Sequence, residues 1–450
     1  MQEMNEKKTM NRRSFLTMSA AASAGLMLSK SGKAGSTPLS SNDLNVAIIG
    51  TGAQGQVLLD ACLNIPGLRF RAVCDIWADW NRKRAARLLQ KYGHQVNEYE
   101  DYRDLLAKEK DLDAVLIATP DFWHHRHAMD CLEAGVNVYC EKEMSTDLIK
   151  AREMALTARR TGTLLQIGHQ RRSNPRYIHC YKKLLTEAKI LGRITTINAQ
   201  WNRAVQEDIG WPKKYPIKQD ILKKYGFDNM LQFRNWRWYK QMGGGAIVDL
   251  GSHQIDIFSW FLNARPKSVM ASGGTDYYAK KTHEWYDTVQ TLWEYDTNEG
   301  VVRVFYQTIT TNSSQGYFET FMGDEGTLQI SESASRGAVY REVSNPNAPL
   351  WDKWIKMGYI TAPQVMAQPA NAAGLDVRET VAPPKHDIAV EMNVPYHQPH
   401  LENFFNAVRG LEELNCPGEV GYETAVSVLK VNQAVETGRR LFFKPEEFQV

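Results

Sequence analysis

Two stretches of the chain carry reactive residue types at spacings that chemistry can use. In the run from Gly243-Gly244-Gly245 to His253, Asp249 precedes the histidine by four residues. The residues after the glycines read as one helix, so Asp249 and His253 share a face. An imidazole of unperturbed pKa ~6.5 suits the removal of a hydroxyl proton. The carboxylate could orient that ring or relay its proton. In isolation the same pair reads as a surface i,i+4 contact.

The second stretch runs from Asn45 to Leu59. Val46 to Ile49 is a β-branched, apolar run that reads as a buried strand. It stops at Gly50-x-Gly52-x-x-Gly55, and Val57, Leu58, Ala61 and Cys62 then recur at helical spacing. Strand, glycine turn and helix are the context of a dinucleotide fingerprint. Gly50 makes the turn, Gly52 lets backbone approach a pyrophosphate, and Gly55 lets helix pack on strand. Thr51, Ala53 and Gln54 complete the phosphate loop, and the helix N-terminus supplies free N–H groups. A second strand, Arg69 to Cys74, ends at Asp75, twenty residues past Gly55. An acid there accepts the adenosine ribose hydroxyls and repels a 2′-phosphate, which favours NAD over NADP. Its alternative is a helix cap or turn residue, with Arg82 and Arg84 near enough to meet a phosphate.

Those residues need a scaffold of suitable size. The 450 residues suggest two domains plus extras, at 43% hydrophobic and 23% charged. A net charge of +3 argues for neither nucleic acid nor a membrane surface, and no apolar run is long enough for a stable span. Twelve Trp and nineteen Tyr offer flat faces that suit the C–H edges of sugars, although most belong in the core. The six cysteines are scattered without a CxxC pair, so neither a disulfide framework nor a zinc site is expected. His124, His125 and His127 lack a carboxylate or cysteine at ligand spacing, and no metal is expected there either.

Residues 1–42 read as an export signal and linker: Arg12-Arg13 precede Phe15-Leu16 and a short Ala/Ser-rich run, the shape of a twin-arginine signal. The expected location is therefore outside the cytoplasm, in the periplasm, with the export machinery as a partner; a chance match would leave the protein cytoplasmic. Residues 43–170 alternate strands and helices, which argues an α/β, doubly wound parallel sheet binding ligands at the carboxyl ends of its strands. Thr119-Pro120, Glu141-Lys142 and His169-Gln170 lie at such ends. The segment from Asp121 to His127 reads as a loop, with a helix from Ala128. Residues 171–450 read as a substrate and oligomerisation domain of α+β type, with a large, mostly antiparallel sheet. Residues 335–395 show little periodicity and read as a long loop over the site or an inter-subunit arm.

In order along the chain, Gly50-x-Gly52-x-x-Gly55, Ala118-Thr119-Pro120 with His124 and His127, Glu141-Lys142, and Gly243-Gly244-Gly245 running into Asp249-x-Gly251-x-His253 resemble the glucose–fructose oxidoreductase/inositol dehydrogenase/MocA family. The likeness covers nearly all of residues 44–441. It implies a Rossmann domain with an open-sheet second domain, and hydride transfer at a sugar, cyclitol or polyol carbon with a nicotinamide cofactor. It further implies Lys142 on the reacting oxygen, Asp249 and His253 in proton transfer, and Thr119, Pro120, His124, Glu141 and Gln170 around the nicotinamide. Association into a homo-oligomer is also implied. Glu143 stands where the family has proline, and a non-proline cis bond costs about 2.5–4 kcal/mol. The loop therefore either keeps a cis peptide or aims Lys142 differently. Two other functions fit less well: cleavage of a glycosidic bond by transient oxidation, in relatives that generally lack Asp-x-Gly-x-His, and a non-catalytic nicotinamide-binding protein. Export also implies a tightly held cofactor, because free NAD is scarce outside the cytoplasm.

Overall fold

The computed structural model describes residues 43–342, 347–363 and 383–450; the proposed export signal, with Arg12, Arg13, Phe15 and Leu16, lies outside them. Short apolar runs become parallel strands wherever both faces are covered. β1 (Leu44–Ile49), β2 (Leu68–Cys74), β3 (Asn97–Tyr99), β4 (Ala114–Ile117), β5 (Asn137–Cys140) and β6 (Leu165–Ile167) form a six-stranded sheet in the order β3-β2-β1-β4-β5-β6. Every pairing in it is parallel. Val46, Ala47 and Ile48 of β1 are wholly buried, as are all four residues of β4. β3 is a short polar edge strand that apolar patterning does not reveal.

The glycine turn after β1 shows why those positions are glycine. Gly50 has φ +90°, and a Cβ there would lie 2.6 Å from the Ala118 carbonyl group. A Cβ on Gly55 would lie 2.1 Å from the Gly50 oxygen, so helix α1 (Ala53–Cys62) could not pack against the turn. Gly52 is different: the nearest atom to an added Cβ is Asn81 Nδ2 at 3.8 Å.

One expected loop is a helix. α2 spans Asp121–Glu133 and begins directly after Pro120, with the acid of Asp121 in its first turn. An acidic side chain at a helix N-terminus is favoured by the exposed N–H groups there.

The second sheet has nine strands: β7 (Ile194–Asn202), β8 (Pro266–Gly274), β9 (Thr288–Thr297), β10 (Gly300–Ile309), β11 (Tyr317–Gly323), β12 (Gly326–Ile330), β13 (Ala338–Arg341), β14 (Lys385–His386) and β15 (Leu441–Phe442). Their order is β14-β13-β12-β11-β7-β10-β9-β8-β15, antiparallel except where β7 meets β10. Within the stretch expected to be loop, β13, β14 and a helix over Ala348–Lys356 are formed. The helix expected after the glycines is two: α3 (Gly245–Asp249) and α4 (Gly251–Leu262), divided at Leu250. The closing helices are α5 (Gln398–Val408) and α6 (Gly418–Thr437).

A buried ion cluster joins the chain leaving β6 to the second sheet. Arg171 is wholly buried; it donates to Glu319, and Glu332 lies 3.2 Å from its Nε. Its guanidinium lies over the rings of Tyr177, Trp201 and Tyr317 at 5.4–5.6 Å. Removing one partner of such a cluster leaves a buried charge uncompensated, so Arg171 fixes the wall on which Trp201 stands.

Candidate active site

The carboxyl ends of β1, β2, β4 and β5 open into a cleft of about 600 Å³ whose far wall comes from the second domain. Gly50, Gly52, Ala53 and Gln54 line it on the β1 side, and Thr119, Pro120, His124, Glu141 and Lys142 farther along the sheet. The opposite wall includes Trp201, Arg203, Trp236, Arg237, Asp249 and His253.

At the glycine end, α1 begins at Gly52 with no side chain capping its N–H groups. Those donors, next to a glycine with open space above it, fit the pyrophosphate of a dinucleotide. Gln54 donates to Glu141 at 2.9 Å and lies 3.0 Å from His397 Nε2, tying the phosphate loop to the Glu141-Lys142 turn. Asp75 lines the cleft at the end of β2. Its Oδ2 accepts from Thr51 N at 2.8 Å and Thr51 Oγ1 at 3.2 Å, and its Oδ1 from Trp77 N at 2.7 Å. Asn81 Nδ2 adds a fourth bond at 3.3 Å. Asp75 thus braces the glycine loop from the cleft wall. Burial raises its pKa against those four bonds.

Thr51 and Gly55 lie behind the loop and support it rather than line the cleft. Gln170 is buried outside the lining residues, and its amide turns to Glu332 at 3.3 Å. Arg82 donates to the Asp75 backbone oxygen and pairs with Glu98, and Arg84 covers the Trp80 ring, so neither is aimed at a phosphate.

The three clustered imidazoles diverge. His124 Nδ1 meets the Glu143 carbonyl and its Nε2 the Thr119 carbonyl, both at 2.7 Å. It therefore ties the end of β4 to the turn after β5. Burial outweighs both carbonyl contacts and lowers its pKa to about 4. His125 reaches Glu153 at the surface, and His127 lies 3.1 Å from Thr119 Oγ1. Among the described residues no cluster of His, Cys, Asp and Glu has metal-binding geometry.

The Lys142–Glu143 peptide is cis, and the Lys142 side chain crosses to the second domain. Its ammonium donates to the Asp249 backbone oxygen and lies 3.3 Å from Asp249 Oδ1. Arg237 Nε is 3.1 Å from the same carboxylate oxygen. Burial would raise the Asp249 carboxyl, but Arg237 and Lys142 together outweigh it and hold it well below the usual carboxylate range. No hydrogen bond joins Asp249 to His253 among the described residues, which corrects the expectation that the acid orients the ring. The break at Leu250 separates the two residues onto α3 and α4.

His253 lies instead against Trp201, with ring centroids 5.7 Å apart, and beside His169 at 6.2 Å. Its Nδ1 is buried without a partner among the described residues. Burial, and secondarily the Lys142 charge, lower its pKa well below that of a free imidazole. The ring is therefore neutral at neutral pH and can accept a proton.

Two residues given no chemical role in the sequence reading belong to this constellation. Asp121 lines the cleft in the field of Arg237, Asp249 and Lys142, and burial raises its pKa to about 7. Arg237 pairs with Asp249 across the glycine turn, a contact that neither a helical nor a strand period predicts.

A parallel sheet ending in an uncapped glycine loop, facing a cationic and histidine-bearing second domain, defines a dinucleotide-binding oxidoreductase architecture. Residues 44–169 match the model described as "Oxidoreductase family, NAD-binding Rossmann fold", and residues 182–329 that of the GFO/IDH/MocA C-terminal domain. The chain belongs to the Gfo/Idh/MocA family. It is 27% identical over 228 residues to the uncharacterized oxidoreductase YrbE of Bacillus subtilis, covering 50% of this chain and 56% of that one. It is 26% identical over 297 residues to inositol 2-dehydrogenase/D-chiro-inositol 3-dehydrogenase of Shouchella clausii, covering 64% and 72%. The chain spans about half the length of the first curated relatives it matches. In fold it resembles the WlbA dehydrogenase of Chromobacterium violaceum, solved with NADH and UDP-GlcNAcA, with a TM-score of 0.63 at 19% identity over 91% of this chain and 98% of that one.

Proposed function

We propose that this protein is an NAD-dependent oxidoreductase acting at a secondary hydroxyl or keto carbon of a sugar, glycoside or related polyol. The observation that carries the reading is the convergence, in one cleft, of the uncapped glycine loop with Lys142 and His253. NAD, when bound, supplies a hydride acceptor at its nicotinamide. Gly52, Ala53 and Gln54 would hold its pyrophosphate and Asp75 its adenosine ribose, which favours NAD over NADP. Lys142, held by Asp249, stabilises negative charge developing on the substrate oxygen. His253 Nε2 takes the hydroxyl proton, and Trp201 and Trp236 offer faces for the sugar ring. The same groups run in reverse for a keto substrate.

Export follows from Arg12-Arg13 with Phe15-Leu16, and a cofactor carried through repeated turnovers follows from export. Homo-oligomerisation is supported by an exposed apolar row across the second sheet, where Met270 pairs with Leu292 and Leu292 with Phe305.

The test is a panel of free sugars, glycosides and cyclitols with purified protein and NAD, followed at the NADH absorbance and by product analysis. Stoichiometric NADH with a dehydrogenated sugar is the expected result. Bond cleavage without net NADH would make the protein a glycosidase, and neither outcome would leave it a binding protein.

A further inference from the structure

The connection between β7 and α3, residues 203–244, does more than wall the substrate side of the cleft. It crosses the carboxyl ends of β2 and β3, where the adenosine half of a dinucleotide lies in a doubly wound sheet, and reaches that of β4 on the other side of β1. After β2, Trp77 Nε1 donates to the Tyr215 carbonyl at 2.7 Å, and Trp80 stacks on the Tyr215 ring at 5.9 Å. After β3, Lys224 pairs with Glu100 at 3.4 Å. After β4, Trp123 Nε1 donates to the Tyr225 carbonyl at 3.2 Å and Phe122 N to that of Met242 at 3.3 Å. These contacts enclose a separate apolar cluster in which Trp77, Leu222, Phe227 and Met242 are buried. The connection is thus packed onto the nucleotide domain at three strand ends, on both sides of β1.

One charged side chain in it has no assigned task. Arg234, at the end of the helix Met230–Arg234, lines the cleft with Asp75 and Asn81. Its guanidinium lies 5.3 Å from the Trp77 ring centroid, and its Nε donates to the Gly210 carbonyl at 2.7 Å. No carboxylate lies within ion-pair distance of it among the described residues. A guanidinium held by its Nε keeps its terminal donors for a ligand.

We propose that residues 203–244 form the second jaw of the adenosine site, with Arg234 binding the ribose–phosphate edge of the dinucleotide opposite Asp75. The inference rests on NAD being the cofactor. The dinucleotide then leaves only when the packed connection lifts from Trp77, Trp80 and Trp123, so release is slow. Retention comes from this chain's own second domain.

Two variants test it. Arg234→Ala removes the proposed contact, whereas Trp80→Ala loosens the connection at a residue that does not line the cleft. Each is loaded with NADH, and release is followed by fluorescence during a chase with excess NAD; the Tm of the cofactor-free proteins serves as a folding control. A lost cation–π or aromatic contact in this energy range predicts release faster by about tenfold in each. Unchanged release in either variant overturns the proposal. Wild-type protein that binds neither NADH nor NADPH in the same fluorescence titration would instead overturn the cofactor assignment on which it stands.

Discussion

Asp249 holds Lys142: its backbone oxygen accepts from the ammonium, and its Oδ1 lies 3.3 Å away. The spacing Asp249-x-x-x-His253 suggests the other partnership, because a continuous helix would stack the two side chains. Leu250 interrupts that helix, and a lysine from the opposite domain takes the place of the histidine. The carboxylate therefore fixes the position of a cation rather than the tautomer of a base.

A double-mutant cycle separates the two roles. Asp249→Ala and Lys142→Ala act on one unit, so each should lower kcat by about 10²–10³, and the double variant should be little worse than either. Asp249→Ala and His253→Ala act on different groups and should combine nearly additively. Strong non-additivity with His253, and additivity with Lys142, would restore the acid–imidazole pairing.

His253→Ala should lower turnover by on the order of 10²–10⁴ while NAD binding is kept. In the wild type, burial and Lys142 push the His253 pKa down, so the ring stays an acceptor at pH values where a free imidazole is charged. The acidic limb of kcat/KM should accordingly fall below pH ~6.5. A limb at or above that value, retained in His253→Ala, would assign the base elsewhere.

The parts of this arrangement that were legible in the sequence are those governed by local physics. β1, β2, β4, β5 and β6 announce themselves because strands covered on both faces must be apolar throughout. The glycine loop is legible because Gly50 and Gly55 sit where a Cβ cannot. The helix start at Asp121 is obscured by the aromatic and imidazole side chains that follow, although Pro120-Asp121 is itself an N-terminal signal. β3 is too short and polar to show a period. Gln170 follows a strand end as a nicotinamide contact would, yet buried Glu332, far away in sequence, captures its amide. The same separation hides the crossing of residues 203–244 over the nucleotide cleft.

Asp75 braces the glycine loop and is proposed to hold the ribose, and its substitution should register in both roles. Asp75→Ala removes the acceptor for the Thr51 and Trp77 N–H groups, which costs about 1–3 kcal/mol for each donor left buried and unpaired. It also removes the charge that repels a 2′-phosphate. The expected outcome is a lower Tm together with weaker NAD binding and a relative gain for NADP, measured by thermal unfolding and fluorescence titration. A lower Tm with an unchanged NAD/NADP ratio would confine Asp75 to bracing the loop.

Gly52 and Gly55 should respond oppositely to a methyl group. At Gly55 an added Cβ meets the Gly50 oxygen at 2.1 Å, so Gly55→Ala should destabilise by about 1–3 kcal/mol or more. At Gly52 the Cβ has room, so Gly52→Ala should keep its Tm and lose NAD affinity by blocking backbone approach to the pyrophosphate. Equal NAD affinity in Gly52→Ala and wild type would move the pyrophosphate away from this turn.

Stability should pass through a maximum near pH 6.5, because two sets of buried groups pull in opposite directions. Burial lowers His124 and His169 to about 4 and His127 and His400 to about 3, below their ordinary 6.5. As pH falls from 6.5 the unfolded chain takes up protons that these folded histidines refuse, so stability is lost on acidification. Burial also raises Asp121 to about 7 and Glu143 to about 8, above their ordinary 3.8 and 4.5. These two hold protons in the folded state that the unfolded chain has released, so their contribution is lost as pH rises toward 8. Between about pH 4.5 and 6.5 the four histidines outnumber the two carboxyls, and stability climbs with pH. Above 6.5 only the carboxyls of these two sets still titrate, and it declines. Glu143→Gln, which removes one of the two opposing groups, should flatten the decline between pH 6.5 and 8 in a series of thermal melts. A Tm that keeps rising through that interval in the wild type would mean that Asp121 and Glu143 are ionised in the folded protein.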